Sequence, residues 1–280
     1  MASRFFEGAA HAAAYAKFRP QPPTSLGDQI MGFLKEKYEG PVMAAADVGC
    51  GSGQSTQILA PHFASVTGLD ISEAQTSEAI KLNSRANVFF KTSGAEKLPF
   101  PDNSLQLITA GQACHWFDLP QFYKEADRVL VPGGVLALYG YMFPYAVHEN
   151  LTEKLFEIID HMYKSELNGY VHQGSKEVYL EQYGGEKYKL IYDEQLEVRD
   201  DTHFKDKMAT VAELTGYITT WSGYQNFKSK NGDAAAQKIL DDFQNRIMTT
   251  LNVTTSPEDT EICLRFKYFL LMGRKPPSQD

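Results

Sequence analysis

The chain has 280 residues, 43% hydrophobic and 22% charged, with 35 acidic against 27 basic side chains and a formal net charge of -8. A soluble globular protein of one large domain or two small ones is expected, and the acidic balance argues against a general nucleic-acid binder, which needs a basic face. Cys50, Cys114 and Cys263 lack the close pairing of a zinc or redox motif, so they read as reduced thiols of a cytoplasmic protein.

The opening stretch, "MASRFFEGAAHAAAYAKFRP", begins with aromatic and acidic residues where a signal peptide needs a basic start and an apolar core, so no secretory route is expected. From Val42 to Tyr141 short apolar strands alternate with helical stretches, which predicts a doubly wound, mostly parallel sheet with helices on both faces. In chain order the strands are "VMAAADV", "SVTGLDI", "NVFFKTS", "SLQLITAG" and "VLALYGY". Between them, helices are expected over "QSTQILAPHF", over "SEAQTSEAIKLNSR" with Ser72 as N-cap, and over "LPQFYKEADRVLVPGG" up to its proline and glycines. Val135 to Val147 is the longest apolar run, but Gly140 and Pro144 break it and it is too short to span a bilayer. Beyond it, "LTEKLFEIIDHMYKSEL", "MATVAELTGYITTWSGYQNF" and "AAQKILDDFQNRIMTTLN" have helical spacing of apolar residues. "EQLEVRDDTHF" and "EICLRFKYFLLMGRK" read as late strands, and "KPPSQD" as a frayed tail. The Tyr- and Gly-rich "GYVHQGSKEVYLEQYGGEKYKL" resists assignment.

The stretch "AADVGCGSGQST" sets Gly49, Gly51 and Gly53 directly after the first strand, where a missing Cβ lets a ligand approach backbone. Gln54 and Ser55 after the last glycine exclude a Walker loop, and the glycine spacing disfavours a dinucleotide fingerprint. Asp47 would repel a pyrophosphate but suits a sulfonium ligand with a free ammonium group. Asp70, about twenty residues after the glycines, stands where a carboxylate can accept from both ribose hydroxyls. The remaining histidines show no metal-ligand spacing, and no metal is expected.

Together "ADVGCGSGQST", "VTGLDIS", "GAEKLPFPDNSLQLITAGQACHWFD" and "EADRVLVPGGVLALYGY" resemble a class I S-adenosylmethionine-dependent methyltransferase of the methyltransferase type 11 kind, in the branch similar to trans-aconitate methyltransferases. "FFEGAAHAAAYAKFRPQPP" and "LTGYITTWSGYQNF" resemble that branch at the two ends. The resemblance implies a Rossmann-like, seven-stranded sheet with added helices forming a substrate cap, and S-adenosylmethionine as cofactor. It implies that Gly49, Gly51 and Gly53 contact the methionine part, Asp70 the ribose, Ile71 and the Ala95–Glu96 pair the adenine, and that Gln112 lies near the reacting methyl. The chain departs from the family at Gln106, where an Asp is usual, and at Ser93 and Gly94, where an acid is often seen.

Three further expectations concern the substrate side. His115 in "ACHWFD" is a candidate general base, while Trp116, Tyr141 and Trp221 are candidates to line an acceptor pocket. Tyr15 and Arg19 fall on one helical face, where the Arg fork can grip a carboxylate of cofactor or substrate. One methyltransferase domain is expected, with lid helices over 1–34, a cofactor-binding core over 35–147, and helical cap insertions with final strands over 148–280. The expected reaction is methylation of a small molecule by a monomeric enzyme, at the oxygen of a carboxylate or hydroxyl. Sulfur or nitrogen acceptors and a non-catalytic cofactor-binding sensor or scaffold are the alternatives, and neither nucleic acid nor a membrane is expected as partner.

Overall fold

The computed structural model describes residues 8–277. The expectations for Phe5 and Phe6 and for the last three residues of the tail lie outside that range. Five strands lie parallel, in the order β3 (Val88–Thr92), β2 (Ser65–Asp70), β1 (Ala44–Val48), β4 (Leu105–Gly111) and β5 (Leu130–Tyr141). β1 and β4 are mostly apolar and almost wholly buried, as strands covered on both faces must be. Beyond β5 the long β8 (Glu261–Arg274) runs antiparallel, and β7 (Glu194–Thr210) pairs antiparallel with β8 on both sides of an irregularity between Val198 and His203.

The described sheet has eight strands rather than the expected seven. The addition is β6 (Tyr145–Val147), which pairs with β8 just beyond the residues that pair with β5. β5 thus stops at Tyr141, and its line resumes past Pro144, which cannot donate to a ladder.

Helices α1 (Ala9–Phe18) and α2 (Thr24–Lys37) precede the sheet, while α3 (Glu73–Leu82) and α4 (Leu119–Val129) connect its strands. Ser72 caps α3, its hydroxyl accepting from the Gln75 N–H at 3.3 Å. Asp118 caps α4 in the same way. α4 ends at Val129, short of the expected Pro132, because β5 already begins at Leu130 and carries the Pro-Gly-Gly stretch as an irregularity in its pairing with β4. The expected helix after the glycines is only a 3-10 turn, Thr56–Ile58. Its Ser55 and Thr56 hydroxyls are committed to Asp47 (2.7 Å each), and Pro61 closes the stretch.

The later helices are α5 (Thr152–His161), α6 (Gln173–Glu181), α7 (Val211–Thr219), α8 (Ser222–Asn231) and α9 (Asp233–Leu251). The helical run expected from Met208 onward is two helices, broken at Thr220 and Trp221, with Met208–Thr210 still in β7. α7 starts on a reciprocal capping box between Thr210 and Glu213. Apolar residues of α2, α5, α7 and α9 bury one face of the sheet. α4 and the 183–192 stretch bury the other.

Candidate functional site

The carboxyl ends of β1, β2 and β4 open onto one region, as a doubly wound sheet requires. At the end of β1, the N–H groups of Gly49 and Cys50 both donate to the Leu69 carbonyl, at 2.7 and 2.9 Å. At the end of β2, Asp70 accepts from the Gly51 N–H at 2.9 Å and from the Ser72 N–H at 2.8 Å. One carboxylate therefore ties the glycine turn to the start of α3. Burial raises the pKa of Asp70, and the amides of Ser72, Gly51 and Ile71 counter that rise. Its carboxylate keeps acceptor capacity for a ligand.

A cavity with about 740 Å³ of empty space follows, with Gly51, Asp70, Ile71, Ala95, Glu96 and Gln112 in its wall. Gly49, Tyr15 and Trp116 face it as well. Its charged lining is acidic, Asp70 and Glu96, without a basic side chain. Glu96 also accepts from the Asp118 N–H at 3.1 Å. Gln75 lies in the same wall, its side-chain oxygen buried without a hydrogen-bond partner.

A second cavity, with about 560 Å³ of empty space, adjoins the first, and Tyr15, Gln112 and Trp116 line both. Its charge is reversed: Arg19 is present and no carboxylate is. Arg19 donates through Nε to the Thr220 hydroxyl (2.9 Å), through Nη1 to the Tyr141 hydroxyl (2.7 Å) and through Nη2 to the Thr220 carbonyl (3.0 Å). Its guanidinium also lies 4.7 Å from the centre of the Tyr15 ring. Three of its five N–H groups are thereby used and two remain. His115, Trp116, Tyr141 and Trp221 complete the predicted members of this wall.

Three expectations need correction. Asp47 is fully buried and does not line either cavity; its carboxylate accepts from the hydroxyls of Ser55, Thr56 and Thr109, at 2.7, 2.7 and 2.8 Å. It holds the turn from behind instead of meeting a ligand's ammonium group. Gly53 likewise lines neither cavity: its φ is +89° and a Cβ there would come within 2.7 Å of the Phe90 ring, so close packing is what it serves. Burial, reinforced by His172, Lys187 and Arg19, lowers the pKa of His115 to about 3, which counts against the role of base. Its Nδ1 lies 3.1 Å from the Tyr183 hydroxyl.

The family departures are accounted for locally. Gln106 Oε1 accepts from the Met43 and Ala44 N–H groups at 2.8 and 2.7 Å, securing the entry into β1 away from the cavities. The Ser93 hydroxyl donates to the carbonyls of Gly94 and Lys97. Sequence reasoning missed Phe143, Tyr163, Tyr179 and Tyr217 in the second cavity. Only the tyrosine richness of the unassigned 169–190 stretch pointed to one of them. Among the described residues no cluster of side chains suits a metal ion, and no helix is long and apolar enough to cross a membrane.

Comparison with known proteins agrees with this geometry. Residues 46–138 match the family described as "Methyltransferase domain". A methyltransferase-family protein of Dictyostelium discoideum is 30% identical over 270 residues, covering 94% of this chain and 92% of its own length. A Saccharomyces cerevisiae protein whose name describes it as an S-adenosylmethionine-dependent methyltransferase is 28% identical, over 64% of this chain and 61% of its own. Among solved structures, a type II methyltransferase-like protein of Anaeromyxobacter dehalogenans superposes with a TM-score of 0.71 at 25% identity, over 93% of this chain and 100% of that one.

Proposed function

The chain belongs to the class I S-adenosylmethionine-dependent methyltransferase family, and on that premise we propose that it methylates a small molecule at oxygen, with a carboxylate as the preferred acceptor. The carrying observation is the pair of adjoining cavities of opposite charge. A ligand with a sulfonium, an ammonium and one carboxylate has a net positive charge, which suits the acidic cavity of Asp70 and Glu96. An anionic acceptor suits the cavity of Arg19.

S-adenosylmethionine fits the first cavity. In this reading Asp70 takes the ribose hydroxyls, Ile71, Ala95 and Glu96 edge the adenine, and Gly49 and Gly51 let the methionine part approach backbone; all of them line the same cavity. The unpartnered Gln75 oxygen offers one more acceptor for a donor of the cofactor. When bound, the cofactor supplies an activated methyl group with a neutral thioether as leaving group.

The chain's part is positioning and exclusion of water. Tyr15, Gln112 and Trp116 face both cavities and hold the junction between donor and acceptor. Arg19, with two N–H groups unused, grips a carboxylate of the acceptor or of the cofactor's amino-acid tail. His115, its pKa lowered by burial, is a weak acceptor for a proton, and this reading gives it none to take. A carboxylate acceptor is already deprotonated and requires no base, which favours it over a phenol, thiol or amine. In this reading residues 1–34 act as a lid, 35–147 as the cofactor core and 148–280 as the cap, in a monomer working in the cytoplasm.

Calorimetry with S-adenosylhomocysteine and a screen of small carboxylates, phenols, thiols and amines with labelled methyl donor test the proposal. Binding of the product, with label recovered as base-labile methyl ester, is the expected result. No binding, or label on amines or thiols alone, would sink it.

A further inference from the structure

One wall of the second cavity is made of rings packed on one another. Phe143, in the break between β5 and β6, lies with its ring centre 3.3 Å from that of Tyr179 on α6, 4.7 Å from Tyr163 and 4.6 Å from Trp221. The Tyr163 and Tyr179 hydroxyls are both buried without a hydrogen-bond partner. An unmade hydrogen bond of this kind costs about 1–3 kcal/mol. Both hydroxyls are therefore available to a ligand that reaches this wall.

Behind this wall is a third cavity, with about 780 Å³ of empty space, and Phe143 and Tyr179 line it too. Its floor carries Tyr145 stacked on Phe156, ring centres 4.3 Å apart. Its cations are already engaged: Lys267 with Asp201 at 2.7 Å, Lys164 with Asp160 at 2.9 Å, and Arg199 with Glu197. Its floor is thus partly apolar and each cation in its wall is paired, while one further carboxylate, Asp200, accepts from the Thr202 N–H at 2.9 Å. The helix that carries Tyr179 ends on Gln182 and Tyr183, two consecutive residues at φ 48° and 59°, conformations that non-glycine residues hold only at a cost.

We propose that the third cavity is the entrance for the methyl acceptor and that Phe143 and Tyr179 are its door. The ring wall admits a flat, oxygen-bearing molecule that is neutral or anionic. Rings held by stacking alone separate without breaking a hydrogen bond. The opposite wall does not, since Arg19 ties it to Thr220 and Tyr141. Once between the rings, the acceptor's oxygens meet the hydroxyls of Tyr163 and Tyr179, and Arg19 completes a lining that has donors and no acid to receive a cation. This inference deepens the methyl-transfer reading and rests on it for the direction of travel.

The chain has two tryptophans, so Trp116→Phe leaves Trp221 as the only one, beside Phe143. In that background, Phe143→Ala, or the milder Phe143→Leu should the first fail to fold, is expected to raise quenching of Trp221 by acrylamide severalfold. With S-adenosylhomocysteine present, saturation-transfer NMR should detect benzoate and not benzylammonium. Tyr179→Phe, which keeps the ring, should leave quenching unchanged and weaken benzoate by about 2- to 12-fold, one net hydrogen bond. Quenching indifferent to both Phe143 variants, or benzylammonium binding as well as benzoate, would overturn the proposal. Absence of S-adenosylhomocysteine binding in the unaltered chain would instead strike the methyl-transfer reading, leaving the quenching result to stand alone.

Discussion

Gln112 and Tyr141 are bonded to each other twice. The Tyr141 N–H donates to the Gln112 side-chain oxygen at 2.8 Å, and the Gln112 side-chain amide donates back to the Tyr141 carbonyl at 3.3 Å. The pair fastens the end of β4 to the end of β5, with Gln112 itself at φ 53°. It also holds the Tyr141 hydroxyl where Arg19 reaches it.

Gln112→Ala removes both bonds and leaves backbone groups unmatched. Stability should fall by about 1–3 kcal/mol. Because Gln112 faces both cavities, methyl transfer should fall further than S-adenosylhomocysteine affinity does. Chemical denaturation, calorimetry and single-turnover rates separate the three quantities, and equal losses in all of them would assign Gln112 a purely structural role.

The two acids at the strand ends should respond oppositely. Asp70→Asn should weaken S-adenosylhomocysteine by about 1.5–3 kcal/mol, as expected for hydrogen bonds to a charged group, with a modest loss of stability. Asp47→Ala leaves three hydroxyls without their acceptor and should cost about 2–3 kcal/mol of stability. The affinity of whatever remains folded should change little. Titration calorimetry beside urea unfolding reads both.

The glycines divide in the same manner. At Gly51, with φ +55°, an added Cβ has its nearest neighbour at 3.5 Å, on the Tyr15 ring, so Gly51→Ala should fold at a cost of about 1–2 kcal/mol and lose cofactor affinity. At Gly53 the Cβ runs into Phe90, and Gly53→Ala should be the more destabilising of the two by thermal melting. A reversed order would contradict the placement of Gly51 at the ligand and Gly53 in the packing.

His115 should stay neutral well below its usual range. Its pKa in the fold is about 3 against 6.5 unfolded, so between those values the unfolded chain binds a proton that the folded chain refuses. This group's contribution to stability is therefore fully present above about pH 6.5 and declines as pH falls toward about 3. NMR titration of the ring gives the pKa directly. For the reaction, His115→Ala should leave the apparent pKa values of the rate profile where they were; loss of a limb near neutrality would restore the histidine as base.

The first cavity was largely legible in the sequence because its parts are local to single strand-to-helix turns: a glycine run after β1, an acid ending β2, an Ala-Glu pair after β3 and Gln112 after β4. Asp47 misled because its position beside the glycines is also local, whereas its three hydroxyl partners are a matter of packing. One of these, Thr109, comes from a neighbouring strand. The second cavity was legible at Arg19, Tyr141 and the two tryptophans and obscure elsewhere. Tyr163 and Tyr217 lie in helices whose apolar spacing fits burial equally well. Tyr179 sits in a stretch of glycines and tyrosines without helical or alternating period, where tertiary contacts decide the conformation. The eighth strand is three residues long and set by its alignment on β8, which no local pattern encodes.

The clasp between Arg19 and Thr220 joins positions 201 residues apart. During synthesis Arg19 leaves the ribosome long before its partner exists, and closing so distant a contact belongs late in folding. The sheet from β1 to β5 has all its strands by Tyr141, so the glycine turn and Asp70 can be in place while the acceptor's walls are still being made. In the methyl-transfer reading the residues proposed for the donor come from the first half of the chain, and most of those around the acceptor from the second.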